Sequence, residues 1–322
     1  MRSTFRSLAA VCAAALLAAG MAAHAQDYPT RPIRVIIPYA PGGTDQQLRI
    51  MAPALHKLLG QNIVIENIGG GGTIRGASAL LAAPADGYTL MYTGTGALTV
   101  IPNLVKTPYK REDFVAIGNV IGTPFVVAAR PDLPYKTLAE FIAYARANPG
   151  KVSFGSAGAG TTTHMAGEAI AAAVGSKMLH VPYQGIGPAV QSILGGNVDI
   201  VVGLPNAIMP HVNAGKLVAL AITGPQRSDL MPNLMTLREG GLDVVDVTKF
   251  AFFAPRGTPE AVIKKLEAVI PEAMKAPEFV DNTRRSFNST LYLSPAQMQP
   301  VLDAEDAHFK KLIRDLKIEI GS

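Results

Sequence analysis

Short apolar runs alternate along most of this chain with apolar positions spaced as on one face of a helix. Ile33-Arg34-Val35-Ile36-Ile37 reads as a buried strand, and in residues 46–59 Leu48, Met51, Leu55, Leu58 and Leu59 recur at helical spacing. Gly60 ends that helix. A strand at Ile63-Val64-Ile65, a glycine loop at 68–72, a short helix over 74–83 and a strand over 88–92 complete one cycle. A second cycle follows Pro131. It has a helix over 138–147 closed by Asn148-Pro149-Gly150, a strand at Val152-Ser153-Phe154, a glycine- and hydroxyl-rich loop, and a helix over about 164–174. Such alternation predicts an α/β fold with largely parallel sheets. The remaining stretch, the run Phe250 to Pro255 and helices over 259–274 and 295–316, makes no complete third cycle. It is therefore expected to pack back on the first lobe and make that lobe discontinuous: residues 26–127 and 251–322 against 128–250. Two crossings would then form a hinge.

The first residues change this picture by leaving it. Arg2 and Arg6 precede an apolar stretch over about 8–22, and Ala23-His24-Ala25 closes it with small residues, the pattern of a secretory signal peptide over 1–25. Cleavage beside Ala25 leaves 297 residues. It also removes Cys12, the one cysteine, and lowers the formal charge from +5 to +3. Thiol chemistry and disulfides are thereby excluded from the mature chain, and the small, evenly spread positive excess gives no footprint for nucleic acid. No further apolar run is long enough to span a bilayer. The 322-residue sequence is 48% hydrophobic and 16% charged, and the nearly 300 residues left after cleavage are ample for two lobes with their own cores.

Catalytic signatures mostly fail. The glycine clusters contain no GxGxxG and no GxxxxGK[ST], so they carry no evidence for a dinucleotide or ATP. Ser156 lacks the GxSxG frame because Phe154 stands at the first glycine position. The mature histidines, His56, His164, His180, His211 and His308, are scattered, so neither a metal site nor a cofactor is expected. Two junctions remain, Pro38-Tyr39-Ala40-Pro41-Gly42-Gly43-Thr44-Asp45 and Gly155-Ser156-Ala157-Gly158-Ala159-Gly160-Thr161-Thr162-Thr163, each a strand, a bare loop, hydroxyls and then a helix. The first turn of a helix carries unpaired N–H groups and partial positive charge, so two such ends across a cleft would grip a carboxylate. The plainer alternative is that each loop caps its own helix, through Thr44 or Asp45 in one and a threonine of Thr161 to Thr163 in the other.

At these residues the chain resembles the Bug family of extracytoplasmic solute receptors, the substrate-binding components of tripartite tricarboxylate transporters. The matching phrases run in order through nearly the whole mature chain: Tyr28-Pro29-Thr30-Arg31-Pro32, the PYAPGGTD loop, Ala85-Asp86-Gly87-Tyr88-Thr89-Leu90, GSAGAGTTTHMAGE from Gly155, HVPYQGIGPAVQSILGGNVDI from His180, and FFAPRGTP from Phe252. The resemblance implies a two-lobed periplasmic binding protein fold of type II kind, closing on a small carboxylate such as an organic acid, an aromatic acid or an acidic amino acid. A membrane permease or a sensor would receive the ligand from a monomeric, non-enzymatic receptor. Carried onto this chain, Tyr39, Pro41, Gly42, Gly43, Thr44 and Asp45 would form one jaw, and Ser156, Ala157, Gly158, Thr161, Thr162 and His164 the other. Thr93, Gly94 and Thr95, with Tyr183 and Gln184, would line the walls.

The chain departs from the family pattern in three places. Its first loop is one residue short, Gly203 stands where an acid is common, and Lys249 replaces an aromatic. A cleft-facing Lys249 would favour a diacid, whereas a solvated one would sit at the rim. His164 either braces its loop or touches ligand, Tyr183 could be hinge packing, and Asp45 would order the loop or receive a ligand amine. An enzymatic alternative, hydrolysis of a carboxylate or acyl substrate, would use Ser156 as nucleophile and His164 as base.

Overall fold

The computed structural model describes residues 28–319, so the leader assigned to residues 1–25 and its cleavage beside Ala25 lie outside the described residues. Among the described residues no helix is long and apolar enough to cross a membrane. The strands are β1 (Ile33–Ile37), β2 (Ile63–Asn67), β3 (Thr89–Gly94), β4 (Phe114–Pro124), β5 (Val126–Ala129), β6 (Ser153–Ser156), β7 (Leu179–Pro182), β8 (Ile200–Gly203), β9 (Val218–Ile222), β10 (Val247–Pro255) and β11 (Thr290–Leu293). They form a six-stranded sheet in the order β11-β4-β10-β3-β1-β2 and a five-stranded sheet in the order β7-β6-β8-β5-β9.

The sheets are mixed where largely parallel ones are expected. β1 pairs in parallel with β2 and β3, and β6 with β7 and β8, as strand-helix-strand cycles require. β10, however, runs antiparallel to β3 and β4, and β5 runs antiparallel to β8 and β9. The cause is the connection between the sheets. The chain leaves the first sheet along β4 and returns to it along β10, and an outgoing strand beside a returning one must be antiparallel.

Those crossings are abrupt. Phe125 alone separates β4 from β5, and the return falls between Asp246 and Val247. Val126 and Val127 pair with Gly203 and Val202 in the second sheet, and Val247 to Phe250 pair with β4 in the first.

The main helices are α1 (Gly43–Leu59), α2 (Ile74–Leu81), α3 (Leu138–Ala147), α4 (Thr162–Val174), α5 (Ile186–Leu194), α6 (Pro205–Asn213), α7 (Glu260–Met274), α8 (Pro277–Arg285) and α9 (Pro295–Leu316). α1 buries Leu48, Met51, Leu55 and Leu59 and ends at Gly60, whose φ of 70° is the left-handed cap conformation that glycine adopts freely. Both α1 and α4 begin two or three residues earlier than apolar periodicity alone predicts. Their first turns consist of Gly43, Thr44 and Asp45 and of Thr162 and Thr163, residues that carry no apolar stripe. α9 opens with a capping box between Ser294 and Gln297. It carries Phe309 against Val100 and Met165, so the end of the chain touches both sheets' helices.

α4 lies so close to β6 that a side chain at Gly167 would put its Cβ 2.1 Å from the buried ring of Phe154. Real Cβ contacts do not reach that distance, so the ring or the helix has to move. Gly167→Ala is expected to lower stability by about 2 kcal/mol through overpacking. A thermal melt checks this; an unchanged midpoint would show that α4 is free to shift on its sheet.

Candidate ligand-binding site

The first jaw is the turn from β1 into α1. Gly42 is the N-cap of α1 and no side chain caps the helix, so its leading N–H groups face outward without an internal partner. The capping role expected of Thr44 or Asp45 is not found. Asp45 lies in the first helical turn, where its carboxylate accepts two bonds from Arg49 one turn on, at 2.7 and 3.1 Å. Its charge is thereby neutralised beside the helix end.

The second jaw is the turn from β6 into α4, and it is largely bonded to itself. Thr161 caps α4 by accepting from the His164 N–H at 3.4 Å, and its hydroxyl donates to the Gly158 carbonyl at 2.7 Å. Ala157 N–H donates to Thr163 Oγ1 at 2.9 Å. The plain capping alternative therefore holds at α4 and fails at α1.

The jaws meet. Ala40 N–H donates to the Gln184 carbonyl at 2.9 Å, and Asn206 Nδ2 donates to the Gly43 carbonyl at 3.0 Å. A Cβ on Gly42 would lie 3.2 Å from the Gly187 nitrogen, so the approach is tight there and favours a bare backbone. Between the jaws lies a pocket lined by Tyr39, Gly42, Gly43 and Thr44 from one side, Ala157 and Thr161 to Thr163 from the other, and Phe125, Ile186, Leu204 and Phe250. Its free volume is about 20 Å³, room for one or two water-sized groups with the jaws shut.

The sequence-predicted residues divide into three groups. Tyr39, Gly42, Gly43, Thr44, Ala157, Thr161 and Thr162 line this pocket. Gly158, Tyr183 and Gln184 line an adjoining cavity of about 190 Å³, which shares Tyr39 and Ala157 with it. The others stand back. Pro41 is exposed at the rim, and Thr93, fully buried, donates to the Tyr39 hydroxyl oxygen at 3.2 Å. That bond leaves the tyrosine's own proton free to donate. A Cβ on Gly94 would sit 3.5 Å from the same hydroxyl, and Thr95 borders a separate cavity with Lys249. Phe125, Ile186, Leu204 and Phe250 were not legible as lining, because apolar residues before a helix or in a strand read as core.

Ser156 and His164, proposed as an alternative nucleophile and base, are not paired. Ser156 Oγ lies 2.7 Å from His180 Nε2 instead. His164 Nδ1 accepts from the Gly160 N–H at 3.1 Å, which puts its proton on Nε2, 3.4 Å from Glu168. The two imidazoles stack at 3.8 Å between ring centres. Burial, reinforced by His164, pushes His180 down to about 3, so it stays neutral and is too weak a base to activate a hydroxyl near neutrality. Ser156 itself is fully buried. The contacts of Ser156, His164 and His180 lie within the second jaw.

Lys249 does not enter the pocket. It donates to Glu305 of α9 at 2.8 Å and to the Val247 carbonyl at 3.2 Å. Alternation along β10 is the reason: neighbouring residues of a strand face opposite ways, and Phe250 takes the pocket side.

The family profile described as "Tripartite tricarboxylate transporter family receptor" matches residues 47–318. The chain is similar to the UPF0065 protein in gbd 5'region of Cupriavidus necator, 35% identical over 313 residues that cover 95% of this chain and 93% of that one. Protein BugT of Bordetella pertussis is 33% identical, with 96% and 97% covered. Among solved structures, periplasmic binding protein BugD superposes with a TM-score of 0.86 at 30% identity, covering 91% of this chain and 99% of the other. R. palustris Rpa4515 with adipate gives a TM-score of 0.86 at 28% identity, with 91% and 99% covered. MatC from Rhodopseudomonas palustris with bound malate gives 0.82 at 28%, with 89% and 100% covered.

Behind Phe250, the Lys249–Glu305 pair shares its cavity with Asp246, at the crossing between the sheets. Burial, helped by Glu305 and opposed by Lys249, pushes the Asp246 carboxyl up to about 7. In the unfolded chain an aspartate ionises near pH 4. Folding therefore holds the proton more tightly, and stability contributed by the protonated carboxyl is lost as the pH rises from about 4 to 7. Asp246→Asn is expected to raise the unfolding midpoint by a margin that grows over that interval and levels off above it. Melts at a series of pH values measure it; a margin independent of pH would show that Asp246 titrates normally.

Proposed function

We infer that this chain, which belongs to the tripartite tricarboxylate transporter receptor family and is a solute-binding receptor of the Bug type, closes on a small organic acid. Its carboxylate would be held by the uncapped N-terminus of α1, the hydroxyls of Thr44 and Thr162, and the free proton of Tyr39. The observation that carries this reading is the unfinished helix end at Gly42, enclosed in a pocket that no charged side chain lines among the described residues. Backbone donors and a helix dipole select an anion without a counter-charge. Adipate with Rpa4515 and malate with MatC support an acid as the class of ligand.

On this reading the chain is exported, loses residues 1–25 and works in the periplasm as a monomer. It presents its acid to a membrane permease of the tripartite type, or to a sensor. The two sheets with their flanking helices act as lobes, and the crossings at Phe125 and between Asp246 and Val247 act as the hinge. The receptor binds and releases its acid unchanged, a role supported by the family and by the weakness of His180 as a base. Hydrogen bonds to a charged group contribute roughly 1.5 to 3 kcal/mol each. Several of them, less the cost of closure, reach the roughly −8 kcal/mol of a micromolar complex.

Mass spectrometry of acid released on denaturation, followed by melts of the stripped protein with mono-, di- and tricarboxylates and amino acids, tests the reading. At 100 times its dissociation constant a ligand specific to the folded state adds about 2.7 kcal/mol. Gly42→Asp, which places a carboxylate over the N–H groups of α1 and a Cβ against Gly187, is expected to weaken every acid by about tenfold or more. Chemical turnover of a panel member, or undiminished binding by this variant, would overturn it.

A further inference from the structure

The polar donors account for one end of a ligand, and the remainder of the pocket is of another character. Phe125, Ile186, Leu204 and Phe250, each at most 5% exposed, complete its lining. They come from the two crossing regions and from the starts of α5 and α6, so they are fixed by the fold rather than by one mobile loop. Ile186 is seated there by a missing side chain: a Cβ on Gly203 would fall 2.1 Å from Ile186 Cδ1. The glycine lets the isoleucine lie flat over β8.

A second carboxylate in this part of the pocket finds no partner. The strongest candidate cation, Lys249, is turned to the other face of β10 and held by Glu305. Arg49 is committed to Asp45. α5 also begins without a side-chain cap, but its start is covered by the first jaw, since a Cβ on Gly187 would lie 3.0 Å from the Pro41 carbonyl. An ionised group placed against this wall would lose its hydration without recovering it.

Building on the carboxylate-receptor reading above, we propose that the ligand is a monocarboxylate whose remaining body is uncharged and apolar, and that Ile186 over Gly203, with Phe125 and Phe250, makes that choice. The carboxylate docks at α1 and the apolar body lies on the wall once the two sides part, since the pocket between them as it stands holds only about 20 Å³.

Matched pairs isolate the claim, because hexanoate against adipate and benzoate against terephthalate differ by one carboxylate on the same skeleton. Calorimetry on the full, stripped protein is expected to give each monoacid about tenfold or more tighter binding than its diacid. Ile186→Ala is expected to weaken hexanoate by about tenfold. Equal or tighter binding of the diacids would overturn the proposal and leave the receptor reading in place. If no mono-, di- or tricarboxylate binds at all, the receptor reading falls and the proposal with it.

Discussion

An α-helix cannot satisfy its own first N–H groups, and this molecule leaves one such end open where it matters. At α4 Thr161 supplies the missing acceptor; at α1 Gly42 supplies none, and the acid in the first turn is taken by Arg49. Closed jaws bury that end, so its donors are withdrawn from water. An unmet buried donor costs about 1 to 3 kcal/mol. On the proposed reading, a visiting carboxylate would remove that cost and add charge-assisted bonds of its own. The rest of the architecture arranges for this end to face a second loop across a shared space.

The two sides are joined by hydrogen bonds from Ala40 to Gln184 and from Asn206 to Gly43, and by Phe309 of α9 packed on Met165. A ligand shifts an open–closed equilibrium only by its difference in affinity for the two states. That difference is large when its partners come from both sides, and Thr44 and Thr162 line the pocket from opposite sides. The crossings between the sheets border the same pocket. Phe125 is the single residue between β4 and β5, and Phe250 lies four residues into β10 after the return, yet both line the pocket.

Much of this was legible in the sequence because it depends on local rules. Apolar spacing marks α1, and strand, bare loop and helix repeat in both halves; glycines mark the close approach at Gly42. What was not legible depends on pairing between distant segments. The mixed sheets follow from the side-by-side run of β4 and β10, which begin 133 residues apart in sequence and which no local pattern reports. Lys249 stood as a candidate for a second acid because it replaces an aromatic of the family pattern; strand alternation sends it away from the side that Phe250 takes, and Glu305, 56 residues on, holds it there. Ser156 found His180 rather than His164 because β6 pairs with β7, and a parallel register carries His180 alongside. Ile186 reads as an ordinary helix residue until Gly203 is seen beneath it.

The two faces of β10 show why charge and recognition are kept apart. On one face Lys249 ties the strand to Glu305 of α9, with Asp246 close by, so the ionic groups of the hinge region sit together in one cavity. On the other face Phe250 meets the pocket, where the described lining carries no formal charge. Removing one member of a half-buried ion pair strands the other, so this arrangement resists change. A lysine aimed into the pocket would have bound any anion strongly and discriminated poorly among bodies attached to it. On the proposed reading, positive potential supplied by a helix end fixed in direction would confine the carboxylate to one place. Discrimination would then pass to the shape and polarity of the wall opposite, which ordinary substitutions at Ile186, Leu204 or Gly203 would alter while the anion grip stayed intact.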